Sequence, residues 1–365
     1  MKELTLDDVA GALDRLNYDC RDTWVQMGMA IKTEFGEAGF DTWNAWSEMS
    51  GLYDAAAAKS VWKSFRKGGV GIGTLVKAAK EAGWAFNPDE LDEAERKRRR
   101  EEAEQRRQAL AAEIEADEQA RVEWHERVAV ASVELEGLMA WGGKSDYLSR
   151  KKVRPYGIKF VTHGLVVVTH IKAKRIEIIN GKASIDTFFV KVKSPEFDRE
   201  ATSFKYLRYG TVAIPLRDIG GKLWGWQFIP EKGGKQFLKF GRKSGLFHFI
   251  AADAAGDYGQ GVAGFQAATA FGEGQVITQA EGYATGASIH QATGYPCAIA
   301  LDSGNMAKVA KAMRGAWPEA TLLFCGDNDR DTDGNPGVKA ANEAAILAGG
   351  CVAIPDFSRY EEQAA

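Results

Sequence analysis

Between residues 275 and 354 short apolar runs alternate with helical stretches. The pattern predicts strands over 275–279, 297–301, 321–325 and 351–354, with helices over 284–292, 305–317 and 337–348. Strands separated by a helix's worth of chain lie parallel, and a parallel sheet needs helices over both faces. Ligands gather outside the carboxyl ends of such strands. Glu281 follows the first strand and Asp327 the third, with Asp329 two residues on. Residues i and i+2 of an extended segment point the same way, so the Asp-x-Asp pair presents both carboxylates to one side. Mg²⁺ takes hard oxygen donors and is commonly held by one or two carboxylates plus substrate phosphates. The chemistry that fits is phosphoryl or nucleotidyl transfer, in which cations neutralise charge on the reacting oxygens. An isolated Asp-Asn-Asp in a glycine-rich loop is more often a turn; the strand-helix order around it raises the metal-binding reading.

The net charge of −3 hides a strong polarity. From Trp141 to Ile250 there are 22 Lys or Arg against 8 Asp or Glu, a local charge of +14. That is the footprint of a surface that neutralises phosphates. Asp327, Asp329, Asp331 and Asp333 then crowd into seven residues, so an acidic site follows a basic platform. No run of about 18 apolar residues exists and the first residues are charged and amphipathic, which predicts a cytoplasmic protein with no membrane partner. Cys20, Cys297, Cys325 and Cys351 are scattered and read as reduced core thiols. No Cys/His cluster has ligand spacing, so no zinc is expected. No G-x₄-G-K-[ST] loop is present, so no nucleotide-driven motor of that kind is expected in the sequence.

The 365 residues predict a multidomain α+β chain. Residues 1–86 read as a helical bundle around Trp24, Trp43, Trp46 and Trp62, with Thr5 and Asp8 as a capping box; Lys63, Arg66 and Lys67 are its candidate nucleic-acid contacts. Residues 87–134 form a charged helical connector: 23 of the 44 residues from Asn87 to Val130 are charged, and Ala94, Ala103, Leu110 and Ile114 make no sustained heptad seam. Residues 135–270 form a basic β-rich subdomain, with strands over 165–168, 175–179, 187–190 and 211–215, an Asn180-Gly181 hairpin turn, and a loose Ala- and Gly-rich bridge over 251–270. Residues 271–357 form the C-terminal α/β domain with its parallel sheet.

Glu281-Gly282-Tyr283 after an apolar strand, Leu322 to Asp329, and Gly337-Val338-Lys339-Ala340-Ala341 together resemble the Toprim domain of DnaG-type primases. The resemblance implies that Glu281 stands close to the reacting phosphate and that Asp327 and Asp329 bind Mg²⁺ or Mn²⁺. Asp331 is a further candidate ligand, and Asp356 matches a further acidic position. Ala213 to Asp218, Trp224 to Phe228 and Lys235 to Phe247 follow the order of that family's nucleotide-binding subdomain. Arg217, Lys239, Arg242 and Lys243 are the candidate contacts to nucleoside triphosphate or template, and Tyr147 to Lys152 adds Arg150 and Lys152. Asp22 to Ala30, Phe40 to Ser47 and Val61 to Leu75 resemble the second type of primase C-terminal helical domain, common in mobile-element replication proteins. The resemblance implies a primase of phage, plasmid or mobile-element kind, working in the cytoplasm of a bacterial cell or phage-infected host and making RNA primers on single-stranded DNA, with any replicative helicase acting in trans. A Toprim nuclease and a non-catalytic DNA-binding adaptor that recruits a helicase stay open as alternatives.

Overall fold

The computed structural model describes residues 4–65, 69–86, 92–232, 234–251, 258 and 272–356. The chain divides into two compact units, 1–119 and 120–365.

The first unit is helical: α1 (Leu6–Leu13), α2 (Arg21–Phe35), α3 (Phe40–Ser47), α4 (Ala55–Ser64), α5 (Ile72–Glu81) and the first part of α6 (Glu93–Leu138). Thr5 and Asp8 form the expected capping box at the start of α1. Trp43, Trp46 and Trp62 are buried together with Phe65, and Trp24 packs against them. Gly28 is required there, because a Cβ would lie 2.4 Å from the Phe65 ring. Lys63 is exposed; Arg66 and Lys67 lie outside the described residues. The connector is less solvated than its composition predicts. Arg99 pairs with Asp8 at 2.7 Å, Arg106 donates to the Leu4 carbonyl at 3.0 Å, and Ala103 is buried, so a highly charged helix docks through ion pairs and one small residue.

The second unit begins with the last part of α6 and continues α7 (Asp146–Lys151), β1 (Lys159–Phe160), β2 (Leu165–His170), β3 (Arg175–Asn180), α8 (Lys182–Lys193), β4 (Thr202–Leu207), β5 (Val212–Arg217), β6 (Leu223–Ile229), β7 (Gln236–Phe237) and β8 (His248–Ile250). It closes with β9 (Val276–Ala280), α9 (Tyr283–Thr293), β10 (Cys297–Ile299), α10 (Ser303–Ala316), β11 (Thr321–Cys325), α11 (Pro336–Ala348) and β12 (Cys351–Ala353). Its sheets run β1-β5-β6-β7, β3-β2-β4 and β12-β11-β9-β10-β8. Val128 and Leu135 in the last part of α6, with Met139 just after it, pack with Leu165, Val167, Trp226 and Phe228, and the Trp226 indole donates to the Ser132 carbonyl at 2.9 Å.

Three expectations need correction. The strand predicted over 187–190 is part of α8: Ile185, Phe188 and Val192 fall on one helical face and cover Val166 and Val168, a 3.6-residue period that the β-branched composition masks. Asn180 and Gly181, with φ 89° at the glycine, therefore join a strand to a helix. The strand that flanks β2 opposite β3 is β4. The division expected at 270 cuts through a sheet, because β8 pairs antiparallel with β10 and buries Ile250 beside Cys297 and Ile299. The bridge expected over 251–270 lies, apart from 251 and 258, outside the described residues. Finally, Cys297 is buried and Cys325 partly so, but Cys20 and Cys351 are exposed; Cys351 sits on an edge strand with an exposed-intermediate-exposed pattern, where apolar neighbours in sequence do not enclose it.

Candidate active site

The parallel strands β10, β9 and β11 place their carboxyl ends side by side. Ala280 is opposite both Ile299 and Cys325. Glu281 is thus the first residue beyond β9, and Asp327 the second beyond β11. Both are partly buried. Their charges act on one another: burial raises the affinity of Glu281 for its proton, the Lys235 ammonium opposes that, and Asp327, Asp329 and Asp302 add to it. Burial and then Asp329 likewise raise Asp327, against a hydrogen bond from Thr285 and the cations Lys235 and Lys151. Thr285 Oγ1 donates to Asp327 Oδ1 at 3.4 Å.

The Asp-Asn-Asp segment is held by its neighbours. Gly326 N–H donates to the Ala353 carbonyl at 3.0 Å. The Asp329 N–H donates to Asn335 Oδ1 at 3.0 Å, and Asp329 Oδ2 accepts from the Gly337 N–H at 3.2 Å, in the first turn of α11, where free N–H groups favour an anion. Asn335 also donates to Asn328 Oδ1 at 3.0 Å, and Asn328 to the Pro355 carbonyl at 3.0 Å. A Cβ on Gly337 would stand 2.3 Å from the Asp327 carbonyl, so the helix can start this close only at glycine.

Glu281, Asp327 and Asp329 therefore meet at one rim, but among the described residues no three His, Cys, Asp or Glu side chains converge closely enough to hold one metal ion. A set this open leaves coordination positions to substrate oxygens. Asp331 and Asp333 are exposed in the loop ahead of α11. Asp356 is exposed beyond β12. Tyr283 of the Glu-Gly-Tyr motif is a strut: fully buried, it donates to the Arg154 carbonyl at 2.8 Å and accepts from the Tyr156 N–H at 2.7 Å.

The basic candidates separate. Arg217 is corrected from phosphate contact to structural residue: with 10% of its side chain exposed it pairs with Glu136 at 3.1 Å and donates to the Gly221 carbonyl at 3.0 Å. Lys239 is exposed, with its ammonium 5.1 Å from the Phe240 ring. Arg242 lies 4.7 Å from the Trp224 ring. Lys243 is exposed and pairs with Asp302. Arg150 donates to the Glu231 carbonyl at 3.2 Å, and Lys152, exposed at φ 54°, ends α7. Lys235 and Lys151 are cations whose charge reaches the rim, and neither was singled out from sequence. In a stretch this rich in lysine, which one reaches the rim is decided by loop geometry; only Lys151's position between two chosen neighbours hinted at it.

Residues 9–79 match the family described as Primase C terminal 2 (PriCT-2). The chain is 38% identical over 152 residues to a DNA primase TraC of Escherichia coli, covering 40% of this chain and 13% of that protein. A second DNA primase TraC of the same organism is 37% identical over 152 residues, covering 40% of this chain and 10% of the relative. The chain thus spans only 13% and 10% of the lengths of these curated relatives. Among solved structures, a DnaG primase catalytic domain bound to single-stranded DNA aligns with a TM-score of 0.38 and 14% identity over 64% of this chain and 75% of that one. An E. coli primase catalytic core aligns with a TM-score of 0.34 and 15% identity over 65% and 71%.

Proposed function

We propose that this chain is a DNA primase that synthesises short RNA primers on single-stranded DNA by metal-dependent nucleotidyl transfer, with a Toprim-type catalytic domain built on the sheet of β8 to β12. The observation that carries the reading is the meeting of Glu281, Asp327 and Asp329 at the carboxyl ends of adjacent parallel strands, beside Lys235 and Lys151. The relatives named DNA primase TraC support the same reading.

Carboxylates pressed together against their own repulsion gain from any cation that joins them, and their hard oxygen donors fit Mg²⁺ or Mn²⁺. Glu281, Asp327 and Asp329 would hold such ions, with Asp331 near the entrance, and the ions would supply charge neutralisation on the phosphate oxygens. The chain's own part is positioning. Thr285 and Asn335 hold the acidic segment in place; Lys235 and Lys151 draw the triphosphate toward the rim. Lys239, Arg150 and Lys152, which are exposed, and Arg242, which is partly so, carry template or nucleotide phosphates. In the step itself the primer 3′-oxygen bonds to the α-phosphorus, the bond to the β-phosphate breaks, pyrophosphate leaves with the electron pair, and the hydroxyl proton passes to solvent.

Asp327→Asn is expected to abolish ribonucleotide incorporation on a single-stranded template while binding of that template changes less than about twofold. Labelled nucleotides and a template panel measure the first, and fluorescence anisotropy the second. Undiminished synthesis by Asp327→Asn would remove the assignment; degradation of DNA with no incorporation would point to a nuclease.

A further inference from the structure

Strand β10 ends in a tightly held turn. Leu301 is 1% exposed and adopts φ 78°, a left-handed conformation uncommon outside glycine and asparagine. Asp302 follows at the N-cap of α10, yet its side chain makes no capping hydrogen bond, although an N-cap aspartate ordinarily accepts from the first turn. Its carboxylate turns instead to Lys243, with Nζ to Oδ2 at 2.5 Å. One buried side chain fixes both loops: Asn305 donates to the carbonyls of Ala300 and Leu246, each at 2.8 Å, and accepts from the Gly245 N–H at 2.8 Å. The turn that carries Asp302 is therefore sewn to the loop that carries Lys243. The Ala300 N–H donates to the carbonyl of Ala280 at 2.9 Å, which sets the turn that carries Asp302 beside the chain that leads into Glu281.

We propose that Asp302 is a positioning residue that holds Lys243 beside the carboxylate rim in the free enzyme and releases it to the phosphates of an incoming nucleotide. The proposal rests on the nucleotidyl-transfer reading of that rim. The pair is built for exchange. Its side chains are 45% and 35% exposed, and an ion pair that wet is worth at most about fivefold in an equilibrium. A triphosphate, with several negative charges, outcompetes one carboxylate for a flexible ammonium. The Asn305 tie stays in place when Lys243 swings, so the exchange requires no backbone rearrangement.

The test uses the full chain with inorganic tripolyphosphate as calorimetric probe in Mg²⁺ buffer, and primer synthesis as a second readout. Asp302→Asn is expected to bind tripolyphosphate about three- to fivefold more tightly and to lower the nucleotide KM with little change in kcat. Lys243→Met is expected to weaken binding, and Asp302→Asn added to Lys243→Met is expected to give no further tightening. Asp302→Glu, which restores the pair, should return wild-type values. Weaker or unchanged binding by Asp302→Asn overturns the proposal, as does tightening that persists without Lys243. Absence of primer synthesis by the wild-type chain would count against the polymerase reading alone, because the tripolyphosphate measurement does not depend on turnover.

Discussion

A guanidinium sealed beneath a strand and an ammonium left in water respond differently to substitution. Arg217 commits its charge to Glu136 and the Gly221 carbonyl, so Arg217→Met should destabilise the second unit by roughly 2 to 4 kcal/mol, the cost of stranding a partly buried partner. DNA affinity should hold, which denaturant titration and anisotropy together check. Buried His248 behaves in the same structural way. It meets the Tyr156 carbonyl at 2.8 Å through Nε2, and burial holds its proton affinity down to about 4. The unfolded chain, with an ordinary histidine near 6.5, binds the proton first. Stability from the neutral ring is therefore full above about pH 6.5 and falls away toward pH 4, by on the order of 3 kcal/mol. His248→Gln should flatten that part of a stability-against-pH curve. The placement of Glu281 and Asp327 just past the carboxyl ends of β9 and β11 was readable in sequence, because the apolar runs ahead of them are short and well bounded. Asp302 was not, because an aspartate before a helix reads as an ordinary cap, and only the fold reveals that it declines that role.

At the level of elements, the C-terminal strands and helices fall within a few residues of their predicted positions, since each apolar run is short and the first three are each followed by a helix of unmistakable length. Helix α8 was missed for the opposite reason: Thr187, Phe188, Phe189 and Val190 carry strong strand preference, and the packing of Ile185, Phe188 and Val192 on β2 overrides it. The start of α11 is where element geometry governs chemistry. Because a Cβ at Gly337 would collide with the Asp327 carbonyl, Gly337→Ala must push the acidic segment away from the helix. The expected outcome is loss of incorporation by at least about tenfold, since small misplacements of reacting groups are costly, with a stability loss of about 1 to 3 kcal/mol. Single-turnover assays and thermal unfolding of one sample measure both.

For the molecule as a whole, the separation of charge along the chain would make binding of single-stranded DNA, under the proposed function, a counterion-release process. Neutralising four phosphates would cost about fiftyfold in affinity between 50 and 200 mM salt, and a salt titration with oligonucleotide reads the slope directly. A flat response would show that the +14 of residues 141–250 faces something other than a polyanion. The described helices include none long and apolar enough to cross a membrane. The hardest feature to read from sequence was ownership of the last sheet, since nothing in His248, Phe249 or Ile250 announces a partner about fifty residues downstream. That antiparallel strand closes the edge beside β10. A chimera that transplants the carboxylate-bearing segment alone would leave an open hydrogen-bonding ladder over Cys297, Ala298 and Ile299, an invitation to fibrils. Any exchange of the acidic rim between related chains has to carry the preceding basic stretch along with it, so the two are inherited as one unit.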